Sequence, residues 1–246
     1  MRLRVIDIET SGGSPSEIIE IASVDVVPHR DGWRAEPPRS QLFKPLGEIT
    51  FQTMAIHHLT PADLVDAPTG TDAALKAFLE EGGQADFLVA HNAAFEARHI
   101  PLEVTGDPPW LCTVKAARSA WPDAPGYANQ VLRYWRDLKL APELAMPAHR
   151  AAPDAWVTAH ILIDLLKEAP IERLVEWNDD ARSLERMPFG KHRGKTWSDV
   201  PSDYLQWLLA QSEMSEEVLN RAGAELTHRC VSDLVALPQR TASEQS

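Results

Sequence analysis

The run Leu3-Arg4-Val5-Ile6-Asp7-Ile8-Glu9 is followed by a Gly12-Gly13-Ser14-Pro15 turn and a second apolar segment, Ile18 to Val27. No other feature constrains the fold as much. Both segments are rich in β-branched residues and read as strands. The short turn between them fits an antiparallel hairpin. Trp33 to Phe43 reads as a weaker third strand, interrupted by Pro37-Pro38. A helix is expected from Thr71 to about Glu81, with Ala74, Leu75, Phe78 and Leu79 on its apolar face. Phe87 to Ala90 is a short buried strand, and Asn92 is placed to cap the helix after it. Further helices are expected at about Thr113–Ala120, Tyr127–Leu138, Pro153–Lys167 and Pro170–Trp177. The order β-β-β-α-β-α, then more helix, describes an α/β layer architecture.

After Asp180 the chain becomes basic and glycine-containing, then helical again at Tyr204–Leu209. The expected division is a main domain over 1–175, a linker over 176–185, a small basic C-terminal domain over 186–237 and a disordered tail over 238–246. Two cysteines, Cys112 and Cys230, lie far apart and suit reduced thiols in a cytoplasmic protein. An acid arrives too early for a secretory signal, and no apolar run approaches the roughly 18 residues of a membrane span. The net charge of −12 argues against a broad, non-specific duplex-binding surface. One local patch runs the other way: Arg182, Arg186, Lys191, Arg193 and Lys195 stand against Glu185 alone.

Three short segments carry the chemistry. Asp7 and Glu9 are two apart on a strand, so both side chains project from one face. His91-Asn92-Ala93-Ala94-Phe95-Glu96 places Glu96 early in a helix, and His149-Arg150-Ala151-Ala152-Pro153-Asp154 places an acid in another first turn. Pro153 suits the first helical position, leaving His149 on the loop before it. Taken singly, each group has an ordinary explanation: solvated strand acids, acids complementing a helix dipole, a surface histidine. Taken together, four carboxylates repel one another unless divalent cations neutralise them. A histidine beside them has an unperturbed pKa suited to taking a proton from an attacking water near neutral pH.

In chain order these motifs, D-x-E, H-N-x-x-F-acid and H-x-x-x-x-D, resemble the DEDDh 3′→5′ exonuclease superfamily. Ile19-Glu20-Ile21-Ala22, Ala55-Ile56-His57-His58-Leu59-Thr60 and Cys112-Thr113-Val114-Lys115 extend the likeness. Phe189-Gly190-Lys191-His192-Arg193-Gly194-Lys195 and Asp203-Tyr204-Leu205-Gln206-Trp207 make the chain most similar to the bacterial exodeoxyribonuclease X subgroup, over most of residues 2–210. The resemblance implies a ribonuclease H-like mixed β-sheet flanked by helices, with a small C-terminal domain appended. It implies two Mg²⁺ or Mn²⁺ ions, the first held by Asp7, Glu9 and Asp154, the second supported by Glu96 partly through water. His149 would deprotonate the attacking water. Thr10, Ile56 and His57 would meet the terminal nucleotide, and Asn92 would order the site as a cap. The products would be nucleoside 5′-monophosphates from single-stranded or duplex DNA 3′ ends, in repair or end-trimming.

Four readings stay open at this level. Glu96 stands where the superfamily pattern has aspartate; the extra methylene moves the carboxylate by roughly 1.5 Å, a displacement to which metal sites respond. No residue is assigned to sensing a 2′-hydroxyl, so an RNA-trimming enzyme fits as well, as does a catalytically silent nucleic-acid-binding module. Lys191 and Arg193 are candidate contacts for the strand, or belong to a solvated basic turn; the glycine spacing is not that of a P-loop. Trp197 and Trp207 either stack on bases or fill the small domain's core.

Overall fold

The computed structural model describes residues 1–106, 108–179, 186–211, 214, 218–219, 221–227 and 229. The chain divides into two compact units, Met1–Asp180 and Ala181–Ser246. The first holds a six-stranded sheet built from β1 (Leu3–Thr10), β2 (Ile18–His29), β3 (Gly32–Ala35), β4 (Arg39–Leu42), β5 (Phe87–Ala90) and β6 (Trp110–Cys112). Its order is β3-β2-β1-β5-β6, with β4 also paired to β2. The hairpin makes β1 and β2 antiparallel, whereas β5 and β6 return through helices and run parallel to β1 and to each other. The sheet is therefore mixed, as expected.

Alternation along β1 sends Leu3 and Val5 to one face and Ile6 and Ile8 to the other, all at or near zero exposure. The first face is covered by the long helix α8 (Ala151–Glu168), whose Val157, Ile161, Leu162 and Leu165 are fully buried against it. The second is covered by α2 (Asp72–Glu81) through Leu75, Phe78 and Leu79. Thr71 caps α2 by accepting the Ala74 amide.

Several expected elements shift. The third strand splits into β3 and β4, because Pro37 and Pro38 have no N–H to give a ladder. The helix expected at Tyr127–Leu138 is the shorter α6 (Asn129–Trp135). α8 begins two residues before Pro153, which occupies its third position. The missing proline N–H still costs nothing there, since the first-turn amides have no intrahelical acceptor. α1 (Phe51–His57), capped by the Thr50 side chain on the Thr53 amide, and β6 were not anticipated. Both are short, and β6 follows Pro108-Pro109. The remaining helices of this unit are α3 (Ala93–His99), α4 (Leu102–Thr105), α5 (Thr113–Ala120), α7 (Pro142–Ala145) and α9 (Ile171–Asp179). α9 takes in the first four residues of the segment expected as a linker; 180–185, Arg182 and Glu185 among them, lie outside the described residues.

The second unit has two 3₁₀ turns, Gly190–His192 and Trp197–Asp199, and helix α10 (Ser202–Leu209). Met187, Trp197, Val200, Leu205, Leu208, Val218 and Ala222 form its core. Trp197 is therefore a core residue, whereas Trp207 is 48% exposed. Cys230 and the expected tail over 238–246 lie outside the described residues. Among the described residues no helix is long and apolar enough to cross a membrane.

Candidate active site

The site forms at the C-terminal end of β1. Asp7 pairs across the sheet with Ala22 and Glu9 with Glu20, and the register shifts between Glu9 and Thr10. Such a bulge locally sharpens the strand's twist. Asp7 and Glu9 lie on the face that α8 covers, in phase with Leu3 and Val5. Asp154 is the fourth residue of α8, 9% exposed. One carboxylate oxygen from each of Asp7, Glu9 and Asp154 falls within 4.8 Å of the others. Glu96, on α3 after β5, lies outside that tight group. It is 4% exposed, and its Oε2 is buried with no hydrogen-bond partner among the described residues.

Burial and mutual repulsion set the protonation of these acids. Burial, then the charges of Asp154, Glu96, Glu9 and Glu20, hold Asp7 well above the usual carboxylate range. Burial and the charge of Asp154 push Glu9 up to about 8, with Arg150 opposing. Burial alone pushes Glu96 up to about 8. Asp154 is also raised by burial, against hydrogen bonds from the His149 amide and Gln130. A cluster of oxygen donors that cannot all ionise by itself, with one carboxylate oxygen left unpaired in the interior, fits hard divalent cations.

His149 lies on the loop before α8, with an exposed side chain and a left-handed backbone (φ 60°). Its backbone N–H donates to Asp154 Oδ2 at 2.8 Å, which ties the histidine loop to the carboxylate cluster. Two residues without a role in the sequence reading complete this junction. Arg150 Nε and Nη2 each donate to Glu20 at 2.9 Å, and the Ala151 amide donates to the same carboxylate at 3.1 Å. Glu20 is 3% exposed and opposes Glu9 across the hairpin. A bidentate guanidinium–carboxylate pair thus pins the start of α8 to the sheet. The signal was visible: Glu20 is a lone charge inside Ile18-Ile19-Glu20-Ile21-Ala22.

The other expected residues are sorted by their surroundings. His91 is a satisfied strand-end histidine: Nε2 donates to the Tyr127 carbonyl at 2.7 Å, and Nδ1 accepts from Thr113 Oγ1 at 2.8 Å. Burial pushes it down to about 4, so it is neutral near pH 7. His57 is buried. The side chain is 1% exposed at the end of α1, Nδ1 accepts the Leu59 amide at 2.9 Å, and burial lowers its pKa against the Thr10 backbone. Asn92 occupies the cap position of α3 with φ 104°, but its side chain makes no capping hydrogen bond and is exposed. Ile56 is 44% exposed, and Thr10 is buried beside Glu9. Lys191 and Arg193 are exposed on the turn of the second unit.

Comparison with known proteins follows the same lines. Residues 5–162 match the exonuclease family RNase_T. Residues 182–216 match a second family, QSregVF_b, named for a quorum-sensing-regulated virulence factor. Exodeoxyribonuclease 10 of Escherichia coli (strain K12) is 37% identical over 211 residues, covering 84% of this chain and 90% of that protein. A solved structure of exonuclease X in complex with 5′ overhanging duplex DNA is 34% identical, with a TM-score of 0.59 over 71% of this chain and 98% of that one. The nuclease domain of 3′hExo, a DEDDh family member bound to rAMP, shares the fold with a TM-score of 0.53 at 15% identity, over 68% and 92% of the two chains. The mixed sheet, the three gathered carboxylates and these matches lead to one conclusion: the chain belongs to the exonuclease family and is a hydrolase of phosphodiester bonds.

Proposed function

We propose that this chain shortens DNA from the 3′ end, releasing nucleoside 5′-monophosphates with the help of two Mg²⁺ or Mn²⁺ ions. The observation that carries the reading is the meeting of Asp7, Glu9 and Asp154 oxygens within 4.8 Å, from a strand and a helix remote in sequence. Asp7, Glu9 and Asp154 would hold the first ion, and Glu96, whose Oε2 has no hydrogen-bond partner among the described residues, would help to hold the second. Divalent cations held there would supply positive charge to stabilise the attacking and leaving oxygens. His149 takes the proton of the attacking water. Asp154, by accepting the His149 amide, holds that loop at the site. Thr10, Ile56 and His57 would meet the terminal nucleotide, with Asn92 ordering the site.

The DNA preference is supported by relatives named for exodeoxyribonuclease activity or solved with duplex DNA. We place the activity in the cytoplasm, where a free buried thiol such as Cys112 stays reduced, and in repair or end-trimming. We further assign residues 1–175 to catalysis and the basic C-terminal unit, through Lys191 and Arg193, to contact with the strand. The test is incubation of 5′-labelled single-stranded DNA, duplex DNA and RNA with Mg²⁺ or Mn²⁺, with Asp7→Ala as control. A 3′-shortening ladder on DNA, lost in Asp7→Ala, is the expected result. Preferential shortening of RNA, or a ladder that survives Asp7→Ala, contradicts the reading.

A further inference from the structure

Trp207 is a large apolar side chain that the second unit's core leaves out. On α10, Leu205 and Leu208 are fully buried, while Tyr204 and Trp207, also three apart, lie on a neighbouring face. The two aromatic rings stand 5.3 Å apart with planes inclined by 31°, a tilted contact with Trp207 half exposed. The basic turn packs directly beside them. Lys191 Nζ lies 5.1 Å from the centre of the Tyr204 ring, and the His192 ring meets Tyr204 edge-on at 4.7 Å.

This turn is built rather than loose. Met187 N–H donates to the Lys195 carbonyl and Gly194 N–H to the Met187 carbonyl, each at 2.8 Å, and Arg186 Nη1 donates to the Gly194 carbonyl at 2.9 Å. Gly190 has φ +68°, and a Cβ there would lie 2.4 Å from the Tyr204 hydroxyl, so the turn can approach the ring only as glycine. His192 is 8% exposed, yet neither ring nitrogen has a hydrogen-bond partner among the described residues. Between Arg186 and Leu209 the segment carries Arg186, Lys191, Arg193 and Lys195 against Asp199 and Asp203, in a chain of net charge −12.

From this we infer that the second unit carries a strand-binding platform for single-stranded nucleic acid, with Trp207 and Tyr204 stacking a base and Lys191 and its neighbouring cations meeting the phosphates. A nucleotide strand offers a base face to the indole and a phosphate to the turn, which neither an apolar peptide nor a free anion supplies together. The inference takes its ligand class from the nuclease reading above and otherwise stands on this geometry. A longer strand offers the basic turn more phosphates than a short one, and so binds the second unit more tightly.

The experiment compares full-length protein with Trp207→Ala and Trp207→Phe, by fluorescence anisotropy with labelled oligodeoxythymidines of about 6 and about 30 nucleotides. EDTA is present to prevent hydrolysis, and thermal unfolding checks each variant's fold. Trp207→Ala is expected to weaken binding of the longer strand by about tenfold, the size of one lost base–aromatic stack, and Trp207→Phe to restore most of it. Equal affinities for wild type and Trp207→Ala, or no binding of the longer strand by wild type, overturn the platform. A parallel assay with divalent cations separates the two claims. DNA shortening alongside Trp207-independent binding removes the platform alone, and Trp207-dependent binding without shortening removes the nuclease reading alone.

Discussion

Glu96 concentrates the physics of this site in one side chain. Its carboxylate is buried, without a hydrogen-bond partner at Oε2 among the described residues, and pushed up to about 8 by desolvation. Glu9 is displaced as far. Without divalent cations both hold protons at neutral pH, so cation binding must expel them. Calorimetric titration of Mn²⁺ at pH 7 is therefore expected to release protons, seen as an enthalpy that varies with the buffer's ionisation enthalpy. A buffer-independent enthalpy would count against the assignment. Glu96→Gln keeps the shape and removes the charge, and is expected to lower kcat on DNA by about 100-fold or more, the scale of losing a group that acts in the transition state. The residue scale was also the most legible in sequence. Asp7, Glu9, Glu96, Asp154 and His149 stood out through motif and order alone. His57 has its ring buried beside the Thr10 backbone, at the end of a short helix that periodicity does not reveal.

At the scale of elements, the site depends on how α8 is fastened to the hairpin. Glu20 binds Arg150 through two hydrogen bonds and the Ala151 amide through a third. Glu20→Ala is expected to destabilise the fold by about 3 kcal/mol, since it strands a partly buried guanidinium. Urea denaturation would show this as a lowered midpoint, and an unchanged midpoint would remove the fastening role. The Asp154 carboxylate rides on the same helix start, so Mn²⁺ affinity should fall as well. By contrast, Leu162→Ala on the buried face of α8 should cost about 3 kcal/mol through a cavity, with metal affinity retained in the folded fraction. Strands β1, β2 and β5 were readable as apolar runs and helix α2 by its helical spacing. β6 and α1 were not, for their few residues carry no period. The Glu20–Arg150 tie joins residues 130 positions apart, which no local pattern reports.

For the whole molecule, protonation links the site to stability. Glu9 and Glu96 have folded-state values of about 8 against ordinary values of 4.5, so the folded chain binds more protons than the unfolded chain between those limits. Stability of the metal-free protein is therefore complete at the acid end of that window and falls as pH rises from about 5 to about 8. Divalent cations should raise the melting temperature more at pH 8 than at pH 6, and the opposite trend would contradict the desolvated-carboxylate account. The two-unit division makes a second statement at this scale. Removing the charges of Lys191 and Arg193 is expected to raise KM on long substrates and flatten its salt dependence, because fewer phosphates are neutralised.

The central claim is that Asp7, Glu9, Glu96 and Asp154 form a divalent-cation site. Its most direct test is electron paramagnetic resonance of Mn²⁺ titrated into the full chain in the presence of a nucleoside 5′-monophosphate, in wild type and Asp154→Asn. The account predicts saturable binding of two ions per wild-type chain and loss of the tighter one in Asp154→Asn. Binding that is absent in the wild type, or unchanged in Asp154→Asn, would contradict it.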